Sequence, residues 1–131
     1  MEKYTGVDYY NIESLLSEEE VMVRDSVRNF VDAEILPIIE KYNRESKFPM
    51  QLVTKMAELG LFGATLPQKY GCAELNNVAY GLMMQDLERG DSGVRSFASV
   101  QSALVMYPIF AFGNDEQKEK WLPQLATASK I

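Results

Sequence analysis

Histidine is absent from all 131 residues and cysteine occurs once. Without histidine there is no Ser-His-Asp or Cys-His nucleophilic scheme, no zinc-protease helix and no mixed Cys/His zinc site. Catalysis by these residues alone is left to carboxylates, Tyr or Lys. A lone Cys72 cannot close a disulfide within the chain, so the framework of a small secreted domain is excluded and a reducing, cytoplasmic setting is expected. Cys72 follows Gly71 in a loop-like stretch and reads as a packing residue rather than a reactive thiol. Basic residues are in deficit, 13 Lys plus Arg against 19 Asp plus Glu for a net charge of −6. That field repels nucleic-acid phosphates and anionic lipid, so nucleic acid is not expected as a partner. The opening Met1-Glu2-Lys3-Tyr4-Thr5-Gly6 lacks the basic stretch and apolar run of a signal peptide.

What is present, 47% hydrophobic and 24% charged residues, describes one globular domain over residues 1–131. Helical periodicity dominates from Ser17 onward and no window alternates in strand fashion, which predicts an all-α fold, an orthogonal or irregular bundle of about five to six helices. Leu16-Ser17-Glu18-Glu19-Glu20-Val21 carries a capping box, Ser17 with Glu20, and a staple, Leu16 with Val21. Val23, Val27, Phe30, Val31, Ile35 and Ile38 then form one apolar stripe, with a break expected near Leu36 because Pro37 interrupts the ladder. Pro49 is placed in the first turn of a short second helix whose buried face is Val53, Met56 and Ala57, with Gly60 as its left-handed cap. Asn76 or Asn77 caps a third helix through Arg89; residues 78–84 are uncharged, so burial around most of its circumference is expected.

Between Asp91 and Asp115 the only charge is Arg95. The segment is long enough to span a bilayer, but Arg95, Ser96, Ser99, Gln101, Ser102 and Pro108 interrupt it and no basic cluster flanks it. It reads as a central helix wrapped by others, capped by Asp91 or Ser92, bent or ended by Pro108 and closed by Gly113. A last helix opens at Asn114 and buries Trp121, Leu122 and Leu125, with Pro123 dividing it. Apolar residues on more than one face of several helices point to a further contact surface.

Arg95 is the candidate functional residue, because a permanent cation in an uncharged helix needs an anion. Asp91, four residues earlier, and Glu88 are the internal candidates. The other reading is a ligand: Arg95, Ser99 and Ser102 fall at i, i+4 and i+7, with Ser96 beside them, a face suited to a carboxylate. Met22, Met50, Met56, Met83, Met84 and Met106 read as core filler, and Asp86 and Glu88 as solvated helix-end charge. Gly90 and Gly93 around Asp91-Ser92 are a weak anion-nest signal; no Walker or dinucleotide motif is present.

The run Leu87-Glu88-Arg89-Gly90-Asp91-Ser92-Gly93-Val94-Arg95-Ser96, continuing through Ser99-Val100-Gln101-Ser102-Ala103-Leu104-Val105-Met106-Tyr107-Pro108-Ile109, closely resembles the glutaryl-CoA dehydrogenase branch of the acyl-CoA dehydrogenases. Met56-Ala57-Glu58-Leu59-Gly60-Leu61-Phe62-Gly63, Pro67, Tyr70-Gly71, Gly113, Glu116-Gln117-Lys118 and Trp121-Leu122-Pro123 agree with the wider family. The resemblance implies an FAD enzyme with an N-terminal helical domain, a middle β-domain and a C-terminal helical domain, assembled as a homotetramer and passing electrons to a protein partner. It implies that this chain is the first of these parts only. The family's carboxylate base belongs to the C-terminal domain, so no catalytic, cofactor or metal residue is assigned here and the chain alone is expected to be inactive. Arg95 and Ser96 match the pair that holds the free carboxylate of glutaryl-CoA; Ser99 and Leu104 are expected to line the same acyl pocket. The alternative is a non-catalytic helical interaction module.

Overall fold

The computed structural model describes residues 7 and 9–131. The opening hexapeptide, read above for a targeting signal, lies outside the described residues. Helices α1 (Glu18–Phe30), α2 (Ile39–Arg44), α3 (Gln51–Glu58), α4 (Asn77–Gly90), α5 (Ser92–Ser99), α6 (Tyr107–Phe112) and α7 (Asp115–Ala126) build an all-α fold, with no strand among the described residues. α5 and α6 are the two ends of one rod, joined by a π-helical turn, Val100–Met106. No helix among the described residues is long and apolar enough to cross a membrane.

Local chemistry sets the boundaries. Ser17 Oγ accepts from the Glu20 amide while the Glu20 carboxylate accepts from the Ser17 amide, so the first helix opens on the expected capping box. It runs into a second π turn, Val31–Ile35, where the Leu36 N–H reaches back to the Val31 carbonyl at 3.0 Å. The chain then leaves the helix around Pro37. Pro49 precedes α3 rather than opening it, whose first residue is Gln51. Gly60 takes the left-handed conformation expected of it, φ 73°. Asn76 caps α4 and Asp91 caps α5, each accepting from an amide three residues on. Gly113 ends α6 in an extended conformation, not a left-handed one. Pro123 does not divide α7, which stays α-helical through it.

α1 lies along α4, which in turn packs on α5, and α7 closes against α6 and the wide turn. Val27, Val31 and Ile35 meet Met83, Leu87, Val94 and Ala98, while Leu52, Met56, Leu61, Phe62 and Leu122 fill the rest of the core. Gly90 sits where a Cβ would come within 2.8 Å of Val31 Cγ1, which explains a glycine at a close helix crossing. Asp86 is not a solvated helix-end charge: it is 2% exposed. Arg28 at 3.1 Å and Arg89 at 3.2 Å pair with it, and Arg89 also reaches Asp32 at 2.8 Å, so burial of the carboxylate is compensated across the α1–α4 seam.

The α5–α6 rod is not wrapped. Val100, Leu104, Tyr107 and Phe112 are exposed, and on α4 Val78 and Gly81 face outward, so neither segment is buried around most of its circumference. Met56, Met83 and Met106 are core residues as expected, but Met22 and Met50 are exposed. Cys72 is buried, and desolvation pushes its thiol up to about 11, consistent with an inert packing role.

Candidate functional site

The site is built at the junction of α4 and α5, where Asp91 turns the chain. Its Oδ1 accepts from the Val94 amide at 2.9 Å and its Oδ2 from Asn43 Nδ2 at 3.1 Å. That internal carboxylate satisfies the turn, so the Gly90-Asp91-Ser92-Gly93 stretch is no anion nest. The same turn brings Glu88, near the end of α4, against the first turn of α5.

Arg95 is not the lone buried guanidinium expected from the sequence. Its side chain is 34% exposed, and its Nε donates to Glu88 Oε2 at 2.7 Å. Of the two internal candidates the partner is Glu88, because Asp91 is engaged in capping. The other Glu88 oxygen accepts from the Ser92 hydroxyl. These two hydrogen bonds, Ser92 first and Arg95 second, hold the Glu88 carboxyl below its ordinary pKa. Arg95 Nη1 donates to Ser99 Oγ at 3.3 Å, and the Ser99 hydroxyl donates to the Ser96 carbonyl at 3.1 Å. The second Nη has no hydrogen-bond partner among the described residues.

Of the predicted site residues, Arg95 and Ser99 are therefore joined directly. Ser96 lies one residue along and lines an apolar cleft with Phe48, Phe97, Val100 and Ile131. Leu104 stands further along the rod, 70% exposed. Ser102 departs from the face proposed for it: it is buried, accepts from the Gly63 amide at 3.0 Å and donates to the Leu61 carbonyl at 3.2 Å. Its hydroxyl serves the buried loop beneath the rod.

Two neighbours escaped the sequence reading. Ser92 sets the rotamer of Glu88; the helical spacing of four was visible, but only the turn geometry makes it a contact. Tyr80 is half-buried on α4, where desolvation raises its phenol pKa and the field of Arg95 opposes that rise. Nothing in the sequence linked residues fifteen apart on either side of a turn. Among the described residues no group of His, Cys, Asp or Glu is arranged to hold a metal ion. The chemistry available here is recognition: a clamped guanidinium with donors to spare, two hydroxyls and an adjoining apolar cleft.

The family profile for the acyl-CoA dehydrogenase N-terminal domain matches residues 17–129. An acyl-CoA dehydrogenase of Bacillus subtilis (strain 168) is 37% identical over 116 residues, 88% of this chain and 31% of that protein. A crystal structure of glutaryl-CoA dehydrogenase from Mycobacterium smegmatis is 47% identical, with a TM-score of 0.87 over 92% of this chain and 31% of that one. A glutaryl-CoA dehydrogenase from the same organism, in complex with FADH2, is 41% identical, with a TM-score of 0.89 over 93% of this chain and 31% of that one. The chain thus spans about a third of the length of the relatives it matches. A helical bundle that follows the profile from residue 17 to residue 129 belongs to the acyl-CoA dehydrogenase N-terminal domain family.

Proposed function

We propose that this chain is the acyl-side N-terminal domain of an FAD-dependent acyl-CoA dehydrogenase that oxidises glutaryl-CoA, or another short acyl thioester ending in a carboxylate, by α,β-desaturation with or without loss of CO2. The observation that carries the reading is the half-used fork of Arg95: Glu88 fixes its Nε, Ser99 takes one Nη, and the rest of its donors have no partner among the described residues. Paired with Glu88, Arg95 is not a buried unpaired cation. What it offers is preorganisation, since a guanidinium held by one edge presents its other edge in a fixed plane, the geometry that a bidentate carboxylate needs. Ser96 supplies a neighbouring hydroxyl, and Ser99 and Leu104 border the acyl chain.

The remaining chemistry lies outside these residues. All five arginines, Arg24, Arg28, Arg44, Arg89 and Arg95, already pair with carboxylates. The relatives are about three times as long as this chain. The flavin and the proton-abstracting base are therefore assigned to the domains that complete the relatives' length, and the chain by itself to substrate recognition only. A homotetramer, an electron-accepting protein partner and a cytoplasmic setting belong to the same proposal.

The test is a substrate panel on the flavin-loaded full-length enzyme with Arg95→Ala. A charge-assisted contact is worth about 1.5–3 kcal/mol, so kcat/KM for glutaryl-CoA is expected to fall by about 10- to 150-fold while butyryl-CoA is spared. Equal losses for both thioesters overturn the role. The exposed apolar row on α5–α6 also fits a non-catalytic interaction module; a full-length protein with no flavin absorbance and no acyl-CoA oxidation decides for that reading.

A further inference from the structure

A single residue joins α4 to α5. Gly90 is the last residue of one helix and Ser92 the first of the next, so Asp91, with φ −168° and ψ 131°, is the whole connection. A change in the angle between the two helices is therefore a change in its two backbone torsions, the only soft ones it has. Glu88 stands on one side of this hinge and Arg95 on the other. The plane in which Glu88 holds the guanidinium thus depends on how firmly Asp91 is set.

Most of what sets it is local. The Asp91 N–H donates to the Leu87 carbonyl at 2.9 Å, its own carbonyl accepts from the Arg95 amide at 3.0 Å, and its Oδ1 accepts from the Val94 amide. Gly93 leaves room for that oxygen, since a Cβ there would come within 2.9 Å of it. These bonds belong to α4 and α5 and travel with them. The bond to Oδ2 does not, because its donor, Asn43 Nδ2 at 3.1 Å, is a side chain of α2, 48 residues away. The end of α2 is itself closed by the two hydrogen bonds of a Schellman motif. The Lys47 N–H reaches the Tyr42 carbonyl at 3.0 Å and the Ser46 N–H reaches the Asn43 carbonyl at 3.1 Å, with Ser46 left-handed at φ 52°. Five residues past Asn43, the Phe48 ring lies against Phe97 of α5, centroids 4.7 Å apart. The chain leaving α2 therefore holds α5 twice, at its cap and on its body.

We propose that Asn43 is a positioning residue for Arg95: by tying the Asp91 cap to α2 it fixes the angle between α4 and α5, and with it the direction in which the free edge of the guanidinium faces. The proposal rests on the acyl-side reading above. Asn43 touches no substrate in it and acts through Asp91.

The flavin-loaded full-length enzyme is assayed on glutaryl-CoA and butyryl-CoA as Asn43→Ala, as Asn43→Asp, and as the exchange of Asn43→Asp with Asp91→Asn. Alanine removes the tether, and aspartate sets one carboxylate against another. The exchange restores the bond with its direction reversed: the amide introduced at position 91 donates to the carboxylate introduced at position 43, while its carbonyl oxygen still accepts from the Val94 amide, asparagine and aspartate being equivalent caps. One exposed hydrogen bond sets a small scale. The glutaryl-to-butyryl ratio of kcat/KM is expected to fall about three- to tenfold in both single variants, through KM for glutaryl-CoA, and to return to within about twofold of the parent in the exchange. Asn43→Ala added to Arg95→Ala should change the ratio no further, because the tether then has nothing to aim. General weakening of the fold lowers both substrates alike and leaves the ratio where it was. A ratio unchanged by Asn43→Ala but lowered by Arg95→Ala overturns the tether alone; a ratio unchanged by Arg95→Ala overturns the acyl-side reading and the tether with it.

Discussion

Glu88 commits both carboxylate oxygens locally, one to the Ser92 hydroxyl and one to Arg95, and this keeps it charged below the usual glutamate range. A carboxylate with a depressed folded pKa contributes its stabilisation above the unfolded value and loses it as pH falls through the folded one. The clamp on Arg95 is therefore expected to survive acidification past 4.5, the ordinary value, and to open only below it. A carboxyl-carbon NMR titration of Glu88 checks this, and a midpoint at or above the ordinary value refutes it. Gly90 offers a steric counterpart. Alanine there drives a methyl into Val31, and overpacking of this kind costs about 1–3 kcal/mol. Urea denaturation of Gly90→Ala should show that loss, and Val31→Ala in the same chain should recover part of it. Arg95 was legible in the sequence as the only charge in a long apolar stretch. Its partner was not singled out, because the choice between Asp91 and Glu88 depends on which carboxylate the turn needs for its own amides.

At the scale of elements, caps were the most readable features and burial the least. Ser17, Asn76, Asp91 and Asn114 each accept from an amide three residues on, a local pattern that needs no tertiary information. Ser17→Ala is expected to lower stability by about 1 kcal/mol, seen as a lower urea midpoint with unchanged slope. The seam between α1 and α4 is a different matter. Asp86 has the sequence neighbourhood of a surface residue, yet it is buried because Arg28, 58 residues away, arrives from the other helix. Asp86→Ala should cost about 1–3 kcal/mol, not the larger sum of a fully buried broken pair, since Arg28 and Arg89 are each nearly half exposed and can rehydrate. A loss indistinguishable from zero in the same denaturation assay would mean that the seam is held by its apolar contacts alone. The two π turns were invisible from periodicity, which averages over one extra residue; Pro108 marked a disturbance but not its form.

For the molecule as a whole, the outer row of Val100, Leu104, Tyr107 and Phe112 shows what an isolated bundle leaves uncovered, Phe112 being 86% exposed. Such a row binds apolar dyes. The isolated chain is expected to enhance 1-anilinonaphthalene-8-sulfonate fluorescence in its folded state, with Leu104→Ser and Phe112→Ser together reducing the signal; no difference between variant and parent would place the binding elsewhere. The same chain is expected to show no flavin absorbance and no acyl-CoA oxidation in an electron-acceptor dye assay.

By itself the sequence determined the all-α class, the capped starts of α1, α4, α5 and α7, and the lack of histidine chemistry and of any disulfide within the chain. Each depends on composition or on contacts within one turn of helix. Only the tertiary structure decided that Arg95 is clamped by Glu88, that Ser102 belongs to the loop beneath the rod, that Asp86 is buried, and which face of α5–α6 is left open. Those outcomes turn on groups distant in sequence that compete for the same donors and the same space, and that competition is settled only when the helices pack.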